Sequence, residues 1–317
     1  MFFYYFLAIL AAICWSIASL ISADITRLIG GLVFNRLRLF FVSIMLITYT
    51  TIINTWTTIY FEYLNIIIIS GIVGIFLGDT LLFMALQKIG PRRNNILFSL
   101  AAPFTVLLNI FFLKEQMSIV NIMGCFVVFM GVLIAVAFGS NKKLDHRWET
   151  VQGSIIVGIC FGILAALCQA VGLIMMKPIL DLGADPIASA AIRTSISCLM
   201  LSFTFFLRSE NFTSPIPLNL SILFKSIISG FLGMALGMSL LLIALQNADA
   251  GIVATLSSTS PIMILFLIWI LTKEMPQRAA WIGTIFAMIG TGLIFIYEFQ
   301  TKFLERIFVY FGRSIHH

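Results

Sequence analysis

One block of this chain is written twice, and that limits its fold more than any other feature. GIVGIFLGDTLLFMALQ at 71–87 returns as GFLGMALGMSLLLIALQ at 230–246, with about half of its positions unchanged. Gly71, Gly74 and Gly78 recur as Gly230, Gly233 and Gly237, and Ala85-Leu86-Gln87 recurs as Ala244-Leu245-Gln246. Downstream, Pro103 corresponds to Pro261, Lys114-Glu115 to Lys273-Glu274, and Gly124 and Gly131 to Gly283 and Gly290. Such an echo at a nearly fixed offset signals an internal duplication. The unit is about half the chain, too long for a solenoid repeat. Two copies of one domain are expected.

Composition names the solvent of that domain. Soluble domains are about half apolar and a quarter charged, whereas this chain is 61% hydrophobic and 10% charged. A helix needs roughly 20 apolar residues to cross a hydrocarbon layer of about 30 Å. On that measure spans fall near 3–22, 32–53, 65–87, 94–113, 118–138, 152–175, 186–207, 222–245, 250–271 and 277–297. The fold expected is an all-α integral membrane protein with ten transmembrane helices. Five spans per copy is an odd number, so the second copy enters the bilayer from the other side. The result is a pair of inverted five-helix repeats around a central cavity, an architecture associated with secondary transporters.

The expected segments are a first repeat at 1–138, a polar connector at 139–151, a second repeat at 152–297 and a tail at 298–317. Phe299, Phe303, Ile307 and Phe311 recur every fourth residue of the tail, the pattern of an amphipathic surface helix. The first apolar run is long and lacks a basic n-region, so it is expected to be a retained helix and not a signal peptide. Cys14, Cys125, Cys160, Cys168 and Cys198 all fall inside spans and are expected to be small buried packing residues, not a disulfide framework. The net charge of +6 fits basic loops at a membrane surface and does not indicate nucleic acid. Roughly thirteen of the 19 Lys and Arg fall in the odd-numbered loops, which by the positive-inside rule places both termini outside.

A few polar residues stand inside the apolar spans. Asp79 is the only carboxylate well within one, and its counterpart in the second copy is Met238. An intramembrane acid is costly and usually faces the bundle interior, on a substrate or proton path or in an interhelical hydrogen bond. Arg36 and Arg193 open the second helix of each half; they either snorkel to the interface or face the cavity and attract anionic groups. Arg38 shares the first turns of the second span with Arg36. Trp15 and Gln169 hold equivalent places in the two first helices and are candidate wall residues. Asn94, Asn95 and Ser258 add polar groups near the starts of the fourth and ninth spans. Pro103 and Pro261 each free the carbonyl four residues earlier, at Ser99 and Ser257, which makes both prolines candidate kinks and both serines candidate contacts. Gly71, Gly74, Gly78, Gly230, Gly233 and Gly237 give one bare face to the third and eighth spans, where helices can approach closely and slide. Glu115 and Glu274 precede the next helices, where a carboxylate suits the positive dipole end.

At GDTLLFMALQ, SLAAPFTVLLNIFFLKE and GCFVVFMG, repeated as LGMSLLLIALQ, SSTSPIMILFLIWILTKE and GTIFAMIG, the chain resembles the EamA-like, ten-helix branch of the drug/metabolite transporter superfamily. The resemblance runs to about residue 297. It implies two inverted five-helix repeats whose first, third and fourth helices line the cavity, transport of small metabolites, often amino-acid export, and cytoplasmic termini, the last against the charge count. The expected activity is therefore secondary transport by alternating access, with export of amino acids or related polar metabolites ahead of uptake or exchange of a nucleotide-like or other host-derived metabolite. Catalysis is not expected, because the only histidines, His146, His316 and His317, lie in the connector and tail. No cofactor, metal or ATP-binding loop is expected. The expected partners are the bilayer, here a bacterial inner membrane, and a small-molecule substrate, with monomer and homodimer both open.

Overall fold

The computed structural model describes residues 2–113, 119–138, 150–203, 213–247, 256–257 and 259–294. Lys114-Glu115, connector residues 139–149, Ser258 and the tail at 298–317 lie outside the described residues. Every described element is helical: α1 (Phe2–Ile29), α2 (Gly31–Ile53), α3 (Leu64–Gly71), α4 (Gly78–Phe98), α5 (Ala101–Leu113), α6 (Ile119–Phe138), α7 (Ile155–Asp181), α8 (Pro186–Phe203), α9 (Leu220–Gly230), α10 (Gly237–Asn247), α11 (Ser260–Thr272) and α12 (Arg278–Ile294). Six runs among the described residues are long and apolar enough to cross a bilayer, at Phe3–Ile29, Gly31–Ile53, Phe61–Phe98, Ile155–Leu180, Pro186–Phe203 and Leu220–Leu241. Ile122–Phe138, α11 and α12 are shorter apolar helices.

Glycine sets the sharpest breaks. α1 ends at Gly30 (φ 87°), and within α4 the backbone leaves the helix at Gly90 (φ 79°, ψ 170°), conformations that a Cβ disfavours. Pro91 follows at once, where a new helix begins and its missing N–H costs no hydrogen bond. Residues 78–89 and 91–98 are thus two helices, divided in the 88–93 gap between the expected third and fourth spans. A second break falls at Ser99-Leu100, between α4 and α5, just before Pro103. Pro103 thus stands in the first turn of α5 and not in mid-span, and the matching proline does the same. Pro261 stands in the first turn of α11, not in mid-helix, because the backbone turns at Thr259 before α11 starts. A proline there is a helix start, not a kink.

Two joints were not foreseen. α3 and α4 are connected by a π-helical turn at Ile72–Leu77, and α9 and α10 by another at Phe231–Leu236. Each pair forms one rod with a widened turn inside the repeated glycine motif, the kind of local irregularity that often marks functional positions.

The helices pack through small residues. α6 shows the division of faces: Cys125, Val128, Val132 and Ala135 are buried, whereas Ile122, Phe126, Phe129 and Leu133 point outward. Both faces are apolar, as a lipid-surrounded helix requires. The buried face meets α12 through the glycines paired by the repeat. A Cβ on Gly283 would lie 2.5 Å from Gly131 O, and one on Gly290 would lie 2.6 Å from Gly124 O. Cys14, Cys125 and Cys198 are buried and unbridged as expected; Cys160 is a correction, since it lies on the exposed face of α7.

The rods form a second seam. The α3–α4 rod lies along α7, with Ser70 Oγ donating to Gly172 O at 3.0 Å and Gly78 against Cys168. The α9–α10 rod lies along α1, with Ser229 Oγ donating to Ala18 O at 3.3 Å and meeting Ser22 Oγ at 2.7 Å. Loops tie the ends. Asp185 Oδ1 accepts from Ala188 N at 2.7 Å, capping α8, and Thr58 Oγ1 accepts from Asp185 N at 2.9 Å. At another loop, Gln152 N donates to Lys88 O at 2.8 Å and Arg27 Nη2 to Thr150 O at 2.7 Å.

Candidate substrate site

The polar groups of the spans gather where the two rods meet α2 and α8. Asp79 follows Gly78 at the exit of the first π turn, which aims it at α2. Arg38 Nη1 donates to Asp79 Oδ2 at 2.9 Å, with the two side chains only 10% and 14% exposed. The same guanidinium reaches Met234 Sδ at 3.4 Å in the second π turn and stands 5.0 Å from the centre of the Phe83 ring. Arg38 therefore binds an acid of the first glycine rod and a sulfur of the second at once. One turn back along α2, Asn35 Nδ2 donates to Thr80 Oγ1 at 3.2 Å.

The placement of Arg38 corrects the sequence reading, which matched Arg36 with Arg193. The glycines decide the match. Gly71 packs on the backbone of Arg193, with a Cβ there 2.9 Å from its Cα; Gly230 packs on Arg38, with a Cβ 3.5 Å from its Cγ. A Cβ on Gly74 would lie 2.8 Å from Arg193 Nη2, and one on Gly233 would lie 3.8 Å from Arg38 Nη2. Arg38 and Arg193 are thus the equivalent pair. Arg36 is two residues away, about 200° around the helix at 100° per residue, and faces the neighbourhood of Cys198.

Arg193 sits in a cradle of glycine. A Cβ on Gly74 would meet its Nη2 at 2.8 Å, and a Cβ on Gly172 would meet it at 3.2 Å. Its Nε is sealed from the surface and has no hydrogen-bond partner. Asp79 interacts with it electrostatically, but no acid among the described residues pairs with it as Asp79 pairs with Arg38.

Trp15 donates Nε1 to Gly233 O at 2.8 Å, closing a carbonyl of the second π turn. Its counterpart Gln169 is half-buried and makes no hydrogen bond among the described residues. Asn95 spends its amide protons on structure, on Ser19 Oγ at 2.7 Å and Pro91 O at 2.9 Å. Asn94 is buried with Oδ1 unpartnered. The Ser99 hydroxyl bonds the Ile96 carbonyl at 2.6 Å, while Ser99 O accepts from Ala102 N at 3.3 Å. Ser257 is buried beside α11. Trp15, Asp79 and Arg193 therefore gather at the rods, Asn94, Asn95 and Ser99 lie along the fourth span, and Arg36 belongs to another face. Sequence reasoning missed Arg38 as a site residue, although the nearest intramembrane cation to a lone intramembrane acid was an available signal.

A family model for the EamA-like transporter family matches residues 2–137 and again 156–296. The chain belongs to the EamA-like transporter family. It is an integral, multi-pass membrane protein, and the expected family is the observed one. Among curated relatives, an uncharacterized transporter of Synechocystis sp. is 23% identical over 74% of this chain and 66% of its own length. GDP-fucose transporter 1 of Monosiga brevicollis is 24% identical over 69% of this chain and 64% of its own. The chain thus spans just under two thirds of the length of these relatives. One crystal structure superposes with a TM-score of 0.63 over 92% of this chain and 95% of that one at 14% identity, a likeness of fold.

Proposed function

We propose that this EamA-family transporter works by alternating access, with residues 1–138 and 152–297 as inverted five-helix repeats, joined by the 139–151 connector, around a shared cavity. One observation carries this reading: the same contacts occur twice with the halves exchanged. Ser70 on Gly172 O is answered by Ser229 on Ala18 O, and Gly71 on Arg193 by Gly230 on Arg38. Each rod packs on helices of the other half, so rocking of one half against the other slides bare glycine faces and re-aims the two arginines. Two π turns with shifted backbone pairing give the rods a place to bend. Asp79 and its neighbours at the rods form the substrate-contacting set, and a bacterial cell membrane is the proposed setting.

Export of an amino acid or related polar metabolite is the leading activity. A second reading, exchange of a nucleotide-like metabolite, is favoured by the GDP-fucose transporter among the relatives and by the two arginines facing one aspartate. Counterflow into liposomes loaded with amino acids, organic acids and nucleotide sugars, at two pH values, tests both. Trans-stimulated exchange of a member of either class supports carrier action. Steady conductance without counterflow points to a channel and overturns it.

A further inference from the structure

The repeat is symmetric in its arginines and asymmetric in its acid. Arg38 and Arg193 occupy equivalent places against equivalent glycines, but Asp79, whose Oδ2 accepts from Arg38 Nη1 at 2.9 Å, has Met238 as its counterpart. Arg38 thus holds the carboxylate at hydrogen-bond distance, whereas Arg193 meets it only electrostatically and has no acid paired with it among the described residues. Gly74 and Gly172 leave room for the Arg193 guanidinium that any side chain there would take, and its Nε is enclosed without a partner. With Arg38 and Asp79 cancelling, the Arg193 guanidinium remains as an uncompensated positive charge at the rods, inside a medium that penalises it.

We propose that Arg193 is the seat for an anionic group of the substrate, a carboxylate or a phosphate oxygen, which takes at Arg193 the place that Asp79 takes at Arg38. The assignment rests on the transporter reading above and deepens it by naming the charge of the substrate. A planar guanidinium can donate two parallel N–H bonds to either group and an ammonium cannot, which is why an arginine suits the place. The Arg38–Asp79 pair shows that a carboxylate is held at the equivalent arginine, there through Nη1 alone.

The test is direct binding to the purified full chain in detergent, read as thermal stabilisation and by isothermal titration. The probes are L-glutamate, succinate, inorganic phosphate and guanosine monophosphate, against L-serine, putrescine and sodium chloride at matched ionic strength. At least one anion should saturate. A hydrogen bond to a charged group weakens binding about tenfold to a hundredfold when lost, which is the fall expected in Arg193→Gln, with a smaller fall in Arg193→Lys. Met238→Asp puts a carboxylate at the position that answers Asp79 in the repeat and should weaken the same anion at least about tenfold while holding or raising the melting temperature. Because that variant adds a counter-ion and does not strip one, it remains informative if Arg193→Gln does not fold. Saturation by none of the anions, or equal affinity in wild type and Met238→Asp, overturns the proposal. A repeat with added phosphatidylglycerol separates a lipid headgroup from a soluble anion, and protection by the lipid alone also overturns it. Counterflow separates the two failures. Exchange of a neutral or cationic solute unaffected by Arg193→Gln removes the anion seat and leaves the transporter standing; anion binding with no exchange of any solute does the reverse.

Discussion

The Arg38–Asp79 pair makes a quantitative claim about what holds α2 to the first glycine rod. At 2.9 Å and an effective dielectric of about 20, the attraction between unit charges is about 6 kcal/mol. Desolvation of two side chains that are 10% and 14% exposed offsets much of it, so the net worth of the pair is far smaller. Removing one partner strands the other charge, and that costs about 3–5 kcal/mol in buried settings. The two strandings are unequal here. Arg38→Gln leaves Asp79 within electrostatic reach of Arg193, whereas Asp79→Asn leaves two arginines with no acid between them. Asp79→Asn should therefore destabilise more than Arg38→Gln, and the double variant should recover about 2–3 kcal/mol of the summed loss. Reversible unfolding of the purified protein in mixed detergent micelles measures all four corners of the cycle. Single effects that add to within about 0.5 kcal/mol, or an Arg38→Gln loss larger than that of Asp79→Asn, would refute the shared-acid geometry.

Other consequences follow from the glycine faces and the π turns. Gly74→Ala should slow exchange more than Gly233→Ala, because its Cβ meets Arg193 Nη2 at 2.8 Å and Gly172 Cα at 3.2 Å, whereas at Gly233 the nearest atom is Ala18 Cβ at 3.3 Å; counterflow rates per inserted protein decide, and equal rates contradict the sliding seam. Leucine at Gly74 or Gly233 should leave membrane insertion intact and depress turnover in both cases. Trp15→Phe, by orphaning the Gly233 carbonyl, should cost about 1–3 kcal/mol in the same unfolding assay, and no change there would show that the carbonyl finds another donor. Gly283→Ala should cost about 1–3 kcal/mol by overpacking against Gly131 O, more than an alanine at the open Gly183, where φ of 95° supplies the only penalty.

The duplication was legible because glycine and proline leave marks that apolar substitution does not erase. Gly71, Gly74 and Gly78 and their counterparts could be placed against each other before any geometry was known, and the contacts of Gly124 with Gly290 and Gly131 with Gly283 follow the same pairing. Asp79 stood out because a lone carboxylate in an apolar span has few benign explanations. The partner of Asp79 was not legible. The second and seventh spans share no common glycine or proline marker, since α2 opens on Gly31 and α8 on Pro186, so a two-residue ambiguity in register sent the match to Arg36, and two residues on a helix change the face. Pro261 misled for a related reason. A proline in an apolar run reads as a kink unless the turn before it is recognised, and Thr259 carries no turn signature of its own. The π turns left no trace in the residues, since widening a helical turn asks for no particular side chain. Both occur within the glycine motif, so the duplication located them without revealing them.

Loop sidedness tests the inverted pairing with fewest assumptions. With the five native cysteines replaced, a single cysteine is placed at Thr57, in the exposed loop after α2, or at Leu218, in the equivalent exposed loop before α9. A membrane-impermeant maleimide is then applied to intact cells and to inverted vesicles. Inverted repeats require that one position react only in cells and the other only in vesicles. Reaction of both from the same side would mean that the halves share one orientation, and the exchanged contacts between rods and arginines would have no place in the membrane-embedded protein.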